Sequence, residues 1–438
     1  MILDLYPVLV LSRDAKLRHS KAGGRSTRRT RTKQAASPTS NAALFSKNRD
    51  TMTRITRREL IQLSATAPLL EAQSGRLDRR AVVRRHNPVV TKFDAGSSLS
   101  VGNGSFAFTV DCTGLQSVPD LYLDGVPLAT QAEWAWYTMA NPAGYRYEDT
   151  FAEFTTHNGR RVKYPSKWEK PEERFFRETP YKLGLGQIGF ITKDSAFRRE
   201  DCDQIHQELN LWKGAIRSRF RWKGKRVDTT TASHPRRDAI AVRIQSQALR
   251  DASLRVRFAF PFTSCIYPWA ESPFSPGNKG WADAKARGEK WSVTVDSQDS
   301  RSVVIRHMAD ANVYFATLRF SPGASLARPD DETFVISSTR PTLEFTVEFT
   351  PDRPAAEPLE FDATVREAAG YWDSFWSGGA CLDFAHCNYP GGRELERRAV
   401  LSQYLMAIQC AGRLPGTRTR PSISDIVPST KPRSSRKQ

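Results

Sequence analysis

From residue 99 to residue 350 apolar and polar positions alternate with a period of two. Phe106, Phe108 and Val110 alternate with Ala107, Thr109 and Asp111, and Ile240, Val242 and Ile244 with Ala241, Arg243 and Gln245. Leu254, Val256, Phe258 and Phe260, and Leu343, Phe345, Val347 and Phe349, repeat the pattern. Val303 to Arg306, Val313 to Phe320 and Phe334 to Ser337 are further strand candidates. Leu121-Tyr122-Leu123 before Asp124-Gly125 reads as a strand entering a tight turn, and Ser218 to Thr230 as a hairpin turning at Lys223-Gly224-Lys225. Strands with one apolar face belong in antiparallel sheets stacked face to face. No strand–helix–strand alternation occurs, so a parallel α/β fold is excluded. The fold class is mainly β, with Val89–Thr350 as one large antiparallel β-sandwich and long loops near 131–185 and 263–290.

The period then becomes helical. Asp362 is placed to cap a helix bearing Val365, Ala368, Ala369, Trp372, Phe375 and Trp376 at spacings of three and four, closed by Gly378-Gly379. A second helix is expected from about Arg393 to Ala411, with Leu401, Tyr404, Leu405 and Ile408 on one face and Gly412 as its stop. Beyond Leu414 the apolar period disappears. That helix therefore faces a partner the chain does not supply, which a shifted frame, a wrong splice or a truncation near residue 415 explains. An uncovered Leu401/Leu405/Ile408 face predicts poor solubility or association. The expected division is a disordered basic extension (1–51), an export signal and linker (52–80), the sandwich (81–355), helical linker and second helix (356–412), and a disordered basic tail (413–438).

Charge changes the picture little once it is located. The chain of 438 residues has a net charge of +19, a first hint of nucleic acid. Residues 1–51, 52–80 and 413–438 carry +8, +3 and +6, which leaves about +2 on residues 81–412. The basic excess lies in tails, so nucleic acid is not the expected partner. No run of about 18 apolar residues is present, so no membrane partner is expected. The six cysteines include no Cys-x-x-Cys; Cys381 and Cys387 are either a disulfide of an oxidising compartment or, more plainly, buried free thiols. Thr56-Arg57-Arg58-Glu59-Leu60-Ile61-Gln62, followed by the short apolar stretch Leu63–Leu70, matches a twin-arginine export motif, with Met52 as a natural start.

Several segments carry a family likeness. Leu99-Ser100-Val101-Gly102-Asn103-Gly104-Ser105-Phe106-Ala107-Phe108 with Thr113-Gly114-Leu115-Gln116, the upstream Arg85-His86-Asn87-Pro88, and Glu394-Leu395-Glu396-Arg397-Arg398 through Tyr404 together resemble bacterial proteins related to glycoside hydrolase family 65. The likeness covers roughly residues 82–414. It implies a six-hairpin glycosidase architecture: a β-sandwich, a helical linker and an (α/α)6 barrel, of which only the first helix is present. It implies an inverting hydrolase or phosphorylase, with a barrel carboxylic acid protonating the leaving oxygen. No residue of this chain matches that acid, so no catalytic residue is assigned and inactivity of the chain alone is expected. The alternative is a non-catalytic carbohydrate-binding sandwich.

Candidate chemistry is correspondingly sparse. Asp201, Cys202, Asp203, His206 and Glu208 form the densest ligand-type cluster, but they do not share one strand face, and a polar segment entering a strand is the preferred reading. Ser264 and Ser402 lack a nucleophile-elbow setting. Gly184-Leu185-Gly186-Gln187-Ile188-Gly189 matches a dinucleotide fingerprint by letter only. No metal or cofactor is expected. Trp134 and Trp136 in one loop region, and Trp269, Glu271 and Trp281 in another, are the carbohydrate-binding candidates, because sugar C–H faces stack on aromatic rings. Loop anchoring on the sandwich is the competing role for these rings. The expected partner is an oligosaccharide or polysaccharide; no oligomeric state follows.

Overall fold

The computed structural model describes residues 77–122, 125–165, 170–193, 195–260 and 290–413. Its main body is a nine-stranded antiparallel sheet. In spatial order the strands are Val89–Val90, Cys202–Asn210, Ala215–Trp222, Lys225–Ser233, Ala239–Gln245, Thr342–Thr350, Asn312–Phe320, Ser302–Ala309 and Trp291–Gln298. A four-stranded sheet (Ala324–Ala327, Thr333–Ser338, Leu254–Ala259, Gln187–Thr192) and a three-stranded sheet (Leu99–Gly102, Phe106–Val110, Thr130–Ala132) cover one face of it. Phe106 and Phe258 each meet Phe349 across the layers, with centroids 5.9 and 6.2 Å apart, and Phe190 meets Phe220 at 6.1 Å. The mainly β, sandwich-plus-helix class read from the sequence is the class found.

The strand Ala215–Trp222 shows why these residues form sheets. Ile216, Ser218, Phe220 and Trp222 point inward, while Arg217, Arg219 and Arg221 face solvent. Lys223 and Gly224, with φ of 48° and 77°, form the two-residue turn into Lys225–Ser233. Two left-handed residues in such a turn match the twist of the strands they join.

Two expectations about the sandwich fail locally. Pro119–Tyr122 is a 3-10 turn rather than a strand, with Tyr122 buried and its carbonyl accepting from Gly125 N at 3.1 Å. Leu123 and Asp124 lie outside the described residues. Residues 131–185 are not one long loop. They hold the ribbon pairs Trp136–Tyr137/Tyr181–Lys182 and Phe151–Thr155/Arg161–Pro165, and a helix at Pro171–Glu178. Strands of two to five residues are too short for a period of two to register. Residues 261–289, most of the second expected loop, lie outside the described residues.

Four α-helices occur among the described residues: α1 (Arg79–Arg84), α2 (Pro171–Glu178), α3 (Phe361–Ser377) and α4 (Gly392–Gln409). The N-cap of α3 is Glu360 rather than Asp362; Asp362 sits in the first turn and pairs with Arg243 at 2.8 Å. The buried side of α3 (Phe361, Ala368, Trp372, Trp376) lies against strands of the large sheet and the turn at 211–214. Trp376 Nε1 donates to Leu211 O at 2.8 Å, and Trp212 Nε1 to Asp373 Oδ1 at 2.8 Å. Gly214 (φ +61°) is required twice over, since a Cβ there would stand 1.8 Å from Trp372 Nε1. Helix α4 buries Glu396, Val400, Tyr404, Ala407 and Ile408, whereas Leu401 is half-buried and Leu405 exposed. Tyr404 and Ile408 thus do have a partner, which corrects the uncovered face expected above: it is the sandwich itself, some 300 residues back in the chain.

Candidate functional site

The sandwich meets α4 at the Gly102-Asn103-Gly104 turn. Asn103 Oδ1 accepts from Ser105 N and Phe106 N at 3.1 and 2.8 Å, which closes the turn. Its amide donates to Arg237 O at 3.0 Å and His234 O at 3.3 Å. Gly104 (φ +100°) donates its N–H to Ile408 O at 3.0 Å, and a Cβ at Gly102 would stand 2.7 Å from the same carbonyl. Both glycines let α4 approach the turn backbone to backbone. Tyr404 Oη donates to Ser100 O at 3.0 Å, and the Tyr404 ring stacks on Trp372 with centroids 4.7 Å apart.

The other end of α4 is held by charge. Glu396 is 1% exposed. Arg85 grips it with two bonds of 2.7 Å, His86 Nε2 lies 2.5 Å from Oε1, and Phe384 N donates to Oε2 at 2.5 Å. Arg85 also pairs with Asp383 at 2.5 Å. The Arg85 bonds, against the opposing pull of burial, hold the Glu396 carboxyl down to about 2. A bidentate Arg–carboxylate pair with every lone pair engaged is the arrangement that makes burial of a charge tolerable. An open cleft of about 550 Å³ lined by Arg85, Phe384, Tyr389, Arg393 and Glu396 lies beside it. Its two central charges are saturated by each other, which makes this cluster a joint rather than a reactive centre.

Two of the five aromatic and acidic candidates can be placed. Trp134 is half-buried; its Nε1 donates to Asp238 Oδ2 at 2.8 Å and its ring leans on Tyr314 at 6.2 Å. Ser105 Oγ donates to the same carboxylate at 2.9 Å, so Asp238 ties Trp134 to the Gly-Asn-Gly turn. Trp136, also half-buried, donates Nε1 to Glu133 O at 2.8 Å. Lys182 Nζ sits 4.3 Å over the Trp136 ring and donates to Ala132 O and Glu133 O at 3.1 and 2.9 Å. Burial pushes the Lys182 ammonium down to about 8, with Glu133 opposing. Glu133 Oε2 accepts from Arg413 N at 2.6 Å, so the residues after α4 land on this same patch. Both indole N–H groups are thus spent on anchoring, and what remains of each ring is partly open surface beside Asn103, Glu133 and Asp238. Trp269, Glu271 and Trp281 lie outside the described residues.

Asp238 and Lys182 were not legible as site residues, because nothing local in the sequence marks them. Behind Trp134, His307 stacks on Tyr314 at 4.5 Å, and burial drives the imidazole down to about 3. The Asp201–Glu208 segment is the strand Cys202–Asn210 with its lead-in; Glu208 Oε1 accepts from Asn87 Nδ2 at 2.7 Å, and Asp203 and His206 are exposed. Gln187 to Thr192 is a strand, so Gly184–Gly189 opens no helix. Among the described cysteines all are free thiols, and only Cys112 is buried; Cys381 is half-buried and Cys387 exposed, which corrects the buried pair expected above. Among the described residues no helix is long and apolar enough to cross a membrane.

The sequence matches no protein-family model and no curated protein sequence. In shape the chain is similar to a solved structure described as a kojibiose phosphorylase from the human microbiome, with a TM-score of 0.46 and 9% identity over 74% of this chain and 42% of that one. It is also similar to a bacterial glucoamylase complexed with acarbose (TM-score 0.36, 10% identity, 73% of this chain, 42% of that one). A third is a family 81 glycoside hydrolase from Clostridium thermocellum (TM-score 0.24, 11% identity, 64% of this chain, 31% of that one). The chain spans less than half the length of each of these proteins. They are a phosphorylase, a glucoamylase and a glycoside hydrolase by name, and at TM-scores below 0.5 they assign no activity to this chain.

Proposed function

We propose that this chain is carbohydrate-active: the sandwich and first barrel helix of an inverting glycoside hydrolase or phosphorylase of the six-hairpin kind. One observation carries the reading. The three segments that resemble that family, far apart in sequence, meet along α4: Arg85 and His86 on Glu396, and Ser100 on Tyr404, with Gly104 on Ile408 one turn beyond. The outer side of α4 supports it. Leu395 and Met406 stand on one exposed stripe with Leu405 beside it, 51%, 62% and 42% exposed, where a neighbouring barrel helix would pack.

On this reading the sandwich braces the barrel and offers the Trp134/Trp136 patch to a sugar, while proton donation to the leaving oxygen belongs to a barrel carboxylic acid outside this chain. The second reading, a glycan-binding sandwich without catalysis, is favoured by the same patch, because both rings and their anchors Asp238 and Lys182 belong to the sandwich. Export by the Arg57-Arg58 motif belongs to the proposal; a reporter fused after residue 80 leaves the cytoplasm if it holds and stays inside if it does not.

The test is affinity electrophoresis of the full chain in gels cast with α-glucans and plant polysaccharides, beside assays for reducing sugar and for phosphate consumption. Retardation by at least one glycan, weakened by Trp136→Ala, is the expected result. Unretarded migration through every glycan overturns the proposal. Retardation without bond cleavage selects the binding-only reading for the isolated chain.

A further inference from the structure

Residues 141–178 carry a second aromatic feature, downstream of the Trp134/Trp136 patch. Its ribbon pairs Phe154 with Val162 and Ala152 with Tyr164. Residues directly opposite share a face, as do alternate residues along each strand. One face of the ribbon is therefore Ala152, Phe154, Val162 and Tyr164. The opposite face is Glu153, Thr155, Arg161 and Lys163, with Arg161 paired to Glu153 at 2.7 Å. At the base of the ribbon, Phe151 packs edge-on against Tyr147 at 5.2 Å, Tyr147 meets Phe176 at 5.6 Å, and Phe176 meets Phe175 at 5.2 Å. That stack ties the ribbon to α2, although Tyr147 itself is 51% exposed. It leaves Phe154 42% and Tyr164 66% exposed.

A two-stranded ribbon is marginal in water, and rings left on its open face work against solubility. We propose that this face is a sugar-binding platform, on which Phe154 and Tyr164, diagonal neighbours across the two strands, stack the C–H faces of adjacent units of a neutral glycan. The proposal rests on the carbohydrate reading above and adds a site to it.

Two observations select the occupant. Among the described residues the face holds no charged side chain, while Arg161 and Lys163 point the other way, so a polyanion such as nucleic acid finds no counter-charge on that face. The open ring surface is also small. At about 200 Å² per ring, the exposed fractions of Phe154 and Tyr164 come to roughly 200 Å² in all. A stable second copy of the chain needs about 800 Å² per partner. Two or three sugar units match the available surface; a protein does not.

The experiment uses the full chain, with Phe154→Ala, Tyr164→Ala and Tyr164→Trp, in the same glycan-containing gels and in sedimentation runs over a range of concentration. Each alanine variant is expected to weaken glycan retardation roughly tenfold, the scale of one good ring contact, with Tyr164→Trp retaining it. A wild-type chain retarded as strongly as both alanine variants overturns the platform while leaving the carbohydrate reading intact. A wild-type chain retarded by no glycan removes both. A concentration-dependent dimer that Tyr164→Ala abolishes, with glycan retardation unchanged, replaces the glycan by a second copy and also overturns the proposal. Unchanged urea midpoints in both alanine variants show that any lost retardation is not lost folding.

Discussion

The joint under α4 and the ribbon at 151–165 use large side chains in opposite ways. In the joint, Tyr404 is 1% exposed, its ring stacks on Trp372 and its hydroxyl is satisfied by Ser100 O. In the ribbon, Tyr164 is 66% exposed, on a face without charge. The joint also encloses a carboxylate and surrounds it with donors from Arg85, His86 and Phe384. The ribbon keeps its charges on the far side from its rings. A region whose polar groups are all answered from within holds parts in place. A region that leaves flat apolar surface open, with its base tied to a neighbouring helix, is arranged for something from outside. The difference predicts that substitutions in the joint act on stability and substitutions in the ribbon act on binding.

The largest effect belongs to Glu396. In Glu396→Ala, buried His86 and the Phe384 N–H lose their acceptor, while the exposed Arg85 keeps Asp383, and the expected loss is about 3 kcal/mol. Urea unfolding followed by tryptophan fluorescence reads it as a lowered midpoint with an unchanged slope. A loss under about 1 kcal/mol would mean that the joint is solvated like a surface pair, and the contrast with the ribbon would collapse.

The same carboxylate sets a pH dependence. Its folded pKa of about 2 lies below the ordinary value of 4.5. A depressed carboxylate contributes stability that is fully present above the unfolded value and lost as pH falls toward the folded one. Wild type should therefore lose stability between about pH 5 and pH 2, and its advantage over Glu396→Gln should shrink across that window. A gap that stays constant from pH 7 to pH 3 would remove Glu396 as its source.

Glycine contacts sharpen the comparison at a smaller scale. Gly214→Ala places a Cβ on Trp372 at a left-handed position, and Gly104→Ala places one 2.8 Å from the Ala411 Cβ at φ +100°. Each is expected to cost about 2 kcal/mol from strain and displaced packing. Thermal midpoints several degrees below wild type would show it, and near-native midpoints in both would mean that α3 and α4 shift freely against the sandwich.

How much of this was legible in the sequence follows from which forces are local. The long strands announced themselves, because Ile216, Phe220 and Val242 alternate with Arg217, Arg221 and Arg243 whatever they pack against. The Gly-Asn-Gly turn was legible for the same reason: two glycines around a turn-forming amide mark unusual backbone. The burial face of α4 was read about a fifth of a turn off, since Glu396, which the joint buries, looks like a surface residue, and Leu405, which solvent sees, looks like core. The short strands and the helix at 136–182 gave no period to read. Asp238 and Lys182 join the Trp134/Trp136 patch only through strands and turns that the fold brings together, and neither has a local signature.

The smallest effect is the one that tests the contrast from its other side. Among the described residues Phe154 and Tyr164 stack on no other ring, and they lie on the open face of a ribbon whose base meets α2 through Tyr147, Phe151, Phe175 and Phe176. Surface truncations away from caps, strained backbone and buried partners usually stay within about 0.5 kcal/mol. Tyr164→Ala should therefore unfold at the wild-type urea midpoint, and the Phe154→Ala/Tyr164→Ala pair should shift it by no more than about 1 kcal/mol in sum, because neighbours on one face couple only weakly when neither is packed. Phe151→Ala is the internal control: it removes a half-buried ring that packs on Tyr147, and it should cost more than either exposed ring. If Tyr164→Ala proves as destabilising as Phe151→Ala, the ribbon's open face is part of the fold's own packing, and its rings are not held in reserve for a ligand.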